Sequence, residues 1–139
     1  MDEQARSHIM AGIYGDKSTQ SICEVIVANG VDGLAFFYNE IKKGKAKDKS
    51  GKYDDIMYTS MINLTVTPLD GDGKIVVANI PMVKSVITDS IAKGIPYAAW
   101  KQLIPELRTY MLRSNRYKGI QPLETPYGYV SHMIESLEK

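Results

Sequence analysis

Six lysines between residues 42 and 52, Lys42, Lys43, Lys45, Lys47, Lys49 and Lys52, are interrupted by one acid, Asp48. Ammonium groups crowded on a short segment can clamp a polyanion, because each lysine beside a phosphate releases counterions and adds salt-sensitive, sequence-independent affinity. Without a partner the same run is a solvated loop. A second basic stretch, residues 101–118, carries Lys101, Arg108, Arg113, Arg116 and Lys118 against Glu106. The two segments count about +5 and +4 in a chain of formal net charge +1, so the remainder is about −8. Placed on one face, they would make a strongly positive surface despite the near-neutral total. Tyr110 and Tyr117, interleaved with Arg113, Arg116 and Lys118, add rings on which single-stranded bases could stack.

Other reactive residue types lack the spacing their chemistry needs. His8 and His132 have no second histidine or cysteine at ligand spacing on their own local segments, so no metal site is expected. Cys23, the sole cysteine, excludes an intramolecular disulfide, and its neighbours Ile22, Val25 and Ile26 mark it as a packing residue rather than an activated nucleophile. Asp54 and Asp55 point to opposite faces of an incipient strand, a poor arrangement for paired-carboxylate catalysis. Gly15-Asp16-Lys17-Ser18-Thr19 is not a phosphate loop, since Asp16 separates glycine from lysine and no strand precedes it. Asp70 and Asp72 begin like a calcium loop, but the chain then runs into Lys74-Ile75-Val76-Val77 without further acids. The expectation is a non-enzymatic protein without cofactor.

The elements that must position these groups follow from periodicity and punctuation. At 139 residues and 44% hydrophobic, the chain is long enough for one domain without disulfide staples. The acidic Met1-Asp2-Glu3-Gln4 leads into no long apolar stretch, which predicts a soluble protein of the cytoplasm or another intracellular compartment, without membrane association. Helices are expected near 2–13, then from a cap at Ser18 or Ser21 to Asn29-Gly30, then from Asp32 through Leu34, Phe37, Tyr38 and Ile41. From residue 56 the pattern reads as period two: Ile56, Tyr58, Ile62, Leu64 and Val66 on one side, Met57, Thr59, Met61, Asn63, Thr65 and Thr67 on the other. Such a strand would reach roughly 40 Å. Pro68 ends it, Asp70-Gly71-Asp72-Gly73 turns, and Lys74–Ile80 returns as a shorter strand. Pro81, Pro96, Pro105 and Pro126 each stand where a helix would begin.

The fold class predicted is therefore α+β: a single compact domain, 1–139, of short helices packed around one long antiparallel β-hairpin at about 55–67 and 74–80. Its parts are a helical 1–43, a basic loop 44–53, a hairpin 54–80 and a helical 81–139. Within the last part, Val86 to Leu103 resembles a helix-turn-helix. Ser90 stands four residues before the turn glycine Gly94, and Ile95, Trp100 and Leu103 follow at the usual apolar offsets, whereas Asp89 and Lys93 depart from the pattern. The resemblance implies that Tyr97, Ala98, Lys101 and Gln102 face outward, with Arg108, Arg113 and Arg116 available to phosphates. The leading expectation is a nucleic-acid-binding module using Lys42–Lys52 and the 93–118 region. The competing one is a structural or protein-interaction subunit, a homo-oligomer or assembly protein of virus or phage type, using an overhanging hairpin strand.

Overall fold

The computed structural model describes residues 1–15, 17–44 and 51–138, so Lys45, Lys47 and Lys49 of the basic loop lie outside the described residues. Within them the chain forms seven α-helices: α1 (Glu3–Tyr14), α2 (Thr19–Ala28), α3 (Gly30–Lys42), α4 (Lys52–Thr65), α5 (Ile80–Ala92), α6 (Tyr97–Arg113) and α7 (Pro126–Ser136). Short 3-10 turns at Thr67–Leu69, Val77–Asn79, Asn115–Tyr117 and Pro122–Glu124 link them. The chain divides into two compact units. One comprises Met1–Leu64 with Asp89–Ile95, and the other Thr65–Thr88 with Pro96–Lys139.

The predicted hairpin does not exist, and the α+β class is corrected to all-helical for the described residues. Residues 52–65 are helix α4. Its buried positions are Tyr53, Ile56, Met57, Ser60, Met61 and Thr65, the three- and four-residue spacing of a helical stripe. The alternating reading assigned Met57 and Met61 to the face opposite Ile56, whereas all three are buried together. β-branched residues such as Ile62 and Thr59 raise strand propensity only weakly, and a buried stripe overrides it. The turn itself is real. Gly71 and Lys74 exchange two backbone hydrogen bonds of 3.0 and 2.9 Å around Asp72 and Gly73, whose φ values of 52° and 82° define a two-residue hairpin turn. No strand extends from either side of it, because Val77–Asn79 coil into a 3-10 turn and Ile80 begins α5.

In the first unit, Asp2 caps α1 by accepting the Ala5 N–H at 2.7 Å, and Ser18 caps α2 by accepting that of Ser21 at 3.1 Å. Gly30, at φ 64°, lets α3 start with a single residue, Asn29, between it and the end of α2. Gly12 is where α1 and α2 approach, since an added Cβ would stand 1.9 Å from Ile22 Cδ1. Ile9, Ile13, Ile22, Ile26, Leu34, Phe37, Ile56 and Met61 are among the large buried residues of this unit. Lys52, counted in sequence with the basic loop, is the first residue of α4 and serves the end of α1: its Nζ donates to the carbonyls of Gly12 at 3.0 Å and Lys17 at 3.3 Å. The Tyr53 hydroxyl donates to the Ile13 carbonyl at 3.3 Å, so two successive side chains satisfy carbonyls that α1 leaves open at its last turn.

In the second unit α6 packs on α7, and Leu103, Leu107, Val130 and Ile134 are wholly buried. The expectation that Pro105 starts a separate helix is also corrected. Pro105 sits inside the 17-residue α6. It removes one i to i−4 bond, at the Lys101 carbonyl, while Trp100, Leu103, Ile104 and Leu107 keep one continuous buried stripe. Thr125 caps α7 by accepting the Gly128 N–H at 3.0 Å, with Pro126 at the first helical position.

Candidate functional site

The predicted basic residues separate by unit and by engagement. Lys42, Lys43 and Lys52 belong to the first unit, and Tyr97, Lys101, Gln102, Arg108, Arg113, Arg116 and Lys118 to the second. Lys42 lies over the Tyr38 ring, with Nζ 5.8 Å from the centroid, and Lys43 pairs with Glu40 at 3.1 Å. On α6, Lys101 pairs with Glu138 of the C-terminal residues at 2.8 Å, and Arg108 with Glu135 of α7 at 3.3 Å. The Glu138 carboxylate raises the Lys101 pKa above the ordinary lysine value. Arg116 pairs with Asp70 at 2.8 Å. Tyr97, expected to face outward, is half-buried and donates its hydroxyl to the Ile134 carbonyl at 2.9 Å. Gln102, Arg113 and Lys118 are exposed, and Arg113 and Lys118 have no acidic partner among the described residues.

Around Gly94 the chain does run helix, turn, helix. Gly94 has φ 113°, the Ile95 N–H bonds the Ser90 carbonyl at 3.0 Å, and Ser90, Ile95, Trp100 and Leu103 are all buried. Lys93, a departure from the pattern, pairs with Asp32 and holds that carboxyl below the usual range. Asp89, the other departure, is exposed.

The strand proposed for assembly is gone, and with it the overhanging edge. Of its outer face, Met57, Met61 and Thr65 are buried, while Thr59 and Asn63 border a groove of about 740 Å³ whose other walls come from Thr19, Gln20, Cys23, Glu24, Val27 and Ala28 of α2. Cys23 is buried and its thiol donates to the Ile56 carbonyl at 3.7 Å. Burial pushes that thiol up, against the opposing pull of the Ser60 hydroxyl beside it, which disfavours the thiolate form. The Ser60 hydroxyl has no nitrogen or oxygen partner among the described residues, which leaves the thiol as its polar neighbour.

An exposed apolar surface was not foreseen. Leu112 is 81% exposed, Leu123 55%, Tyr110 53% and Ile120 also exposed, all within fourteen residues of the second unit. Two depressions of about 400 and 350 Å³ open here and share Met111, Leu112 and Pro122 as lining. Arg108 and His132 lie in one and Lys118 in the other. A tyrosine ladder supports the surface: Tyr110 stacks on Tyr127 at 4.8 Å, Tyr127 meets Tyr117 edge-on at 5.4 Å, and the Tyr117 hydroxyl donates to Asp70 at 3.0 Å. Burial and Asp70 push the Tyr117 phenol up to about 12. The signal in the sequence was the phase of Leu112, which falls outside the stripe of Leu103 and Leu107, together with Ile120 and Leu123 in a segment with no helical period.

Among the described residues no group of three His, Cys, Asp or Glu is placed to hold a metal ion, and no helix is long and apolar enough to cross a membrane. No family model, curated protein or solved structure matches the chain.

Proposed function

We propose that the protein is a non-enzymatic protein-interaction subunit whose working surface is the 110–123 face of the second unit. The observation that carries this reading is the concentration there of exposed Leu112, Ile120, Leu123 and Tyr110. Scattered surface leucines are ordinary, but contiguous apolar side chains beside two adjoining depressions are the mark of a contact surface. Placing a photo-reactive residue at position 112, with position 109 of the same helix as control, tests it in cells of the source. Adducts from 112 that are digested by protease, and few from 109, are expected. Adducts digested by nuclease, or equal capture from both positions, would reject the reading.

Nucleic-acid binding is the second reading, favoured by the helix–turn–helix run around Gly94 and by the exposed Gln102, Arg113 and Lys118. The ion pairs of Lys101, Arg108 and Arg116 are at the surface, where such pairs contribute about 0–1 kcal/mol and exchange readily for phosphate. Titration with duplex and single-stranded oligonucleotides across a salt series, with Lys42, Lys43, Lys45 and Lys47 changed together to alanine, decides it. A steep salt dependence that flattens in the variant supports this reading, and absence of binding at low salt removes it.

A further inference from the structure

We propose that the partner seated on the 110–123 surface is an acidic amphipathic helix, laid with its apolar side on Leu112, Ile120 and Leu123 and its carboxylates toward Arg113 and Lys118. This rests on the interaction reading above and names the chemistry of the occupant. Three observations select it.

The first is charge. The segment 108–124 carries Arg108, Arg113, Arg116 and Lys118 against Glu124, counting outward from α6, and the acids that meet Arg108 and Arg116 leave Arg113 and Lys118 unpaired among the described residues. Lys118 lines one depression with Leu112 and Ile120, Arg113 follows Leu112 on α6, and the acid of the other depression, Glu135, is already paired with Arg108, so the surface complements a partner whose own apolar stripe is bordered by carboxylates. The second is symmetry. Were the occupant a second copy of this chain using the same face, a two-fold contact would bring the same patch together twice and double its excess of positive charge, which disfavours the pairing. Single-stranded nucleic acid satisfies the cations but not the aliphatic side chains: Tyr117 is buried, leaving Tyr110 as the exposed ring of the ladder, and leucines offer no stacking face. The third is backbone. A peptide bound as an added strand needs a sheet edge, and the described residues contain no strand for it to join, whereas a helix needs only a groove with anchors at its i, i+3, i+4 and i+7 positions.

The test uses the full chain and a displayed library of random 16-residue peptides, without assuming a natural partner. Selected peptides are expected to carry net negative charge and apolar residues at helical spacing. Affinity of a selected peptide should fall at least tenfold in Leu112→Ser/Leu123→Ser, and at least threefold at low salt in Arg113→Gln/Lys118→Gln. Both pairs alter exposed side chains, and unchanged circular dichroism would confirm that the fold is retained. Enrichment of neutral or basic peptides, or peptides indifferent to both variants, overturns the proposal. Self-association abolished by Leu112→Ser, or oligonucleotide binding abolished by Arg113→Gln, would keep a working surface here while overturning the acidic helix as its occupant. A monomer that selects no peptide and yields no position-112 adduct would reject the surface and its occupant together.

Discussion

Tyr117 and Tyr127 are phenols that should ionise late. Both phenols are pushed above the ordinary value, Tyr117 to about 12, with burial as the first cause in each. A phenol with a raised folded-state pKa contributes its full stability below the unfolded value near 10 and loses it as pH rises toward 12. Alkaline titration followed by tyrosinate absorbance should therefore show Tyr117 and Tyr127 among the late phenols. The folded state should lose on the order of 2 kcal/mol across that window, and Tyr117→Phe should make the loss shallower. A second residue-scale outcome concerns Gly128, where an added Cβ would meet the Pro122 carbonyl oxygen at 1.8 Å. Backbone cannot yield as a side-chain tip does, so Gly128→Ala should destabilise by about 1–3 kcal/mol or more in urea unfolding. At this scale charge was legible in the sequence and engagement was not. Lysine at 52 can be read from its letter, but its bonds to Gly12 and Lys17 depend on where α4 begins.

Helix α4 shows why the architecture was misread while its neighbours were not. Helices α1, α2, α3 and α7 announce themselves by apolar residues at three- and four-residue spacing, α2 with its Ser18 cap as well, whereas α3 begins at Gly30 without a side-chain cap and not at the expected Asp32; the turn at Asp72-Gly73 is legible from its glycine and aspartate alone. In α4 the half-buried Tyr58, Ile62 and Leu64 fill the gaps between buried positions, so two periods coexist in one segment and local pattern cannot choose. Mutation can. As a helix, α4 makes Met61 fully buried and Ile62 only half-buried. Met61→Ala should cost about 2–5 kcal/mol, and Ile62→Ala appreciably less. The alternating strand would give the reverse order, so chemical denaturation of the two variants discriminates directly.

Across the whole molecule, charge follows the division into units: by sequence the first carries nine Lys and Arg against ten acids, the second eight against six. The same division fixes which pieces can stand alone. The first unit is not a continuous stretch, because Asp89–Ile95 completes it and brings Lys93 to Asp32 and Gly94 beside Asn39. A fragment ending at residue 64 should consequently lose helix content and unfold at lower urea than the full chain. A fragment as cooperative as the intact protein would show that the returning segment contributes nothing. Synthesis meets the same constraint in time. The ribosome must add the 31 residues after Leu64 before Ile95 exists, a delay of roughly 2 to 6 s at ordinary elongation rates. Until then α1, α2 and α3 wait for their last partner, and the opening stretch of the second unit has already emerged between them.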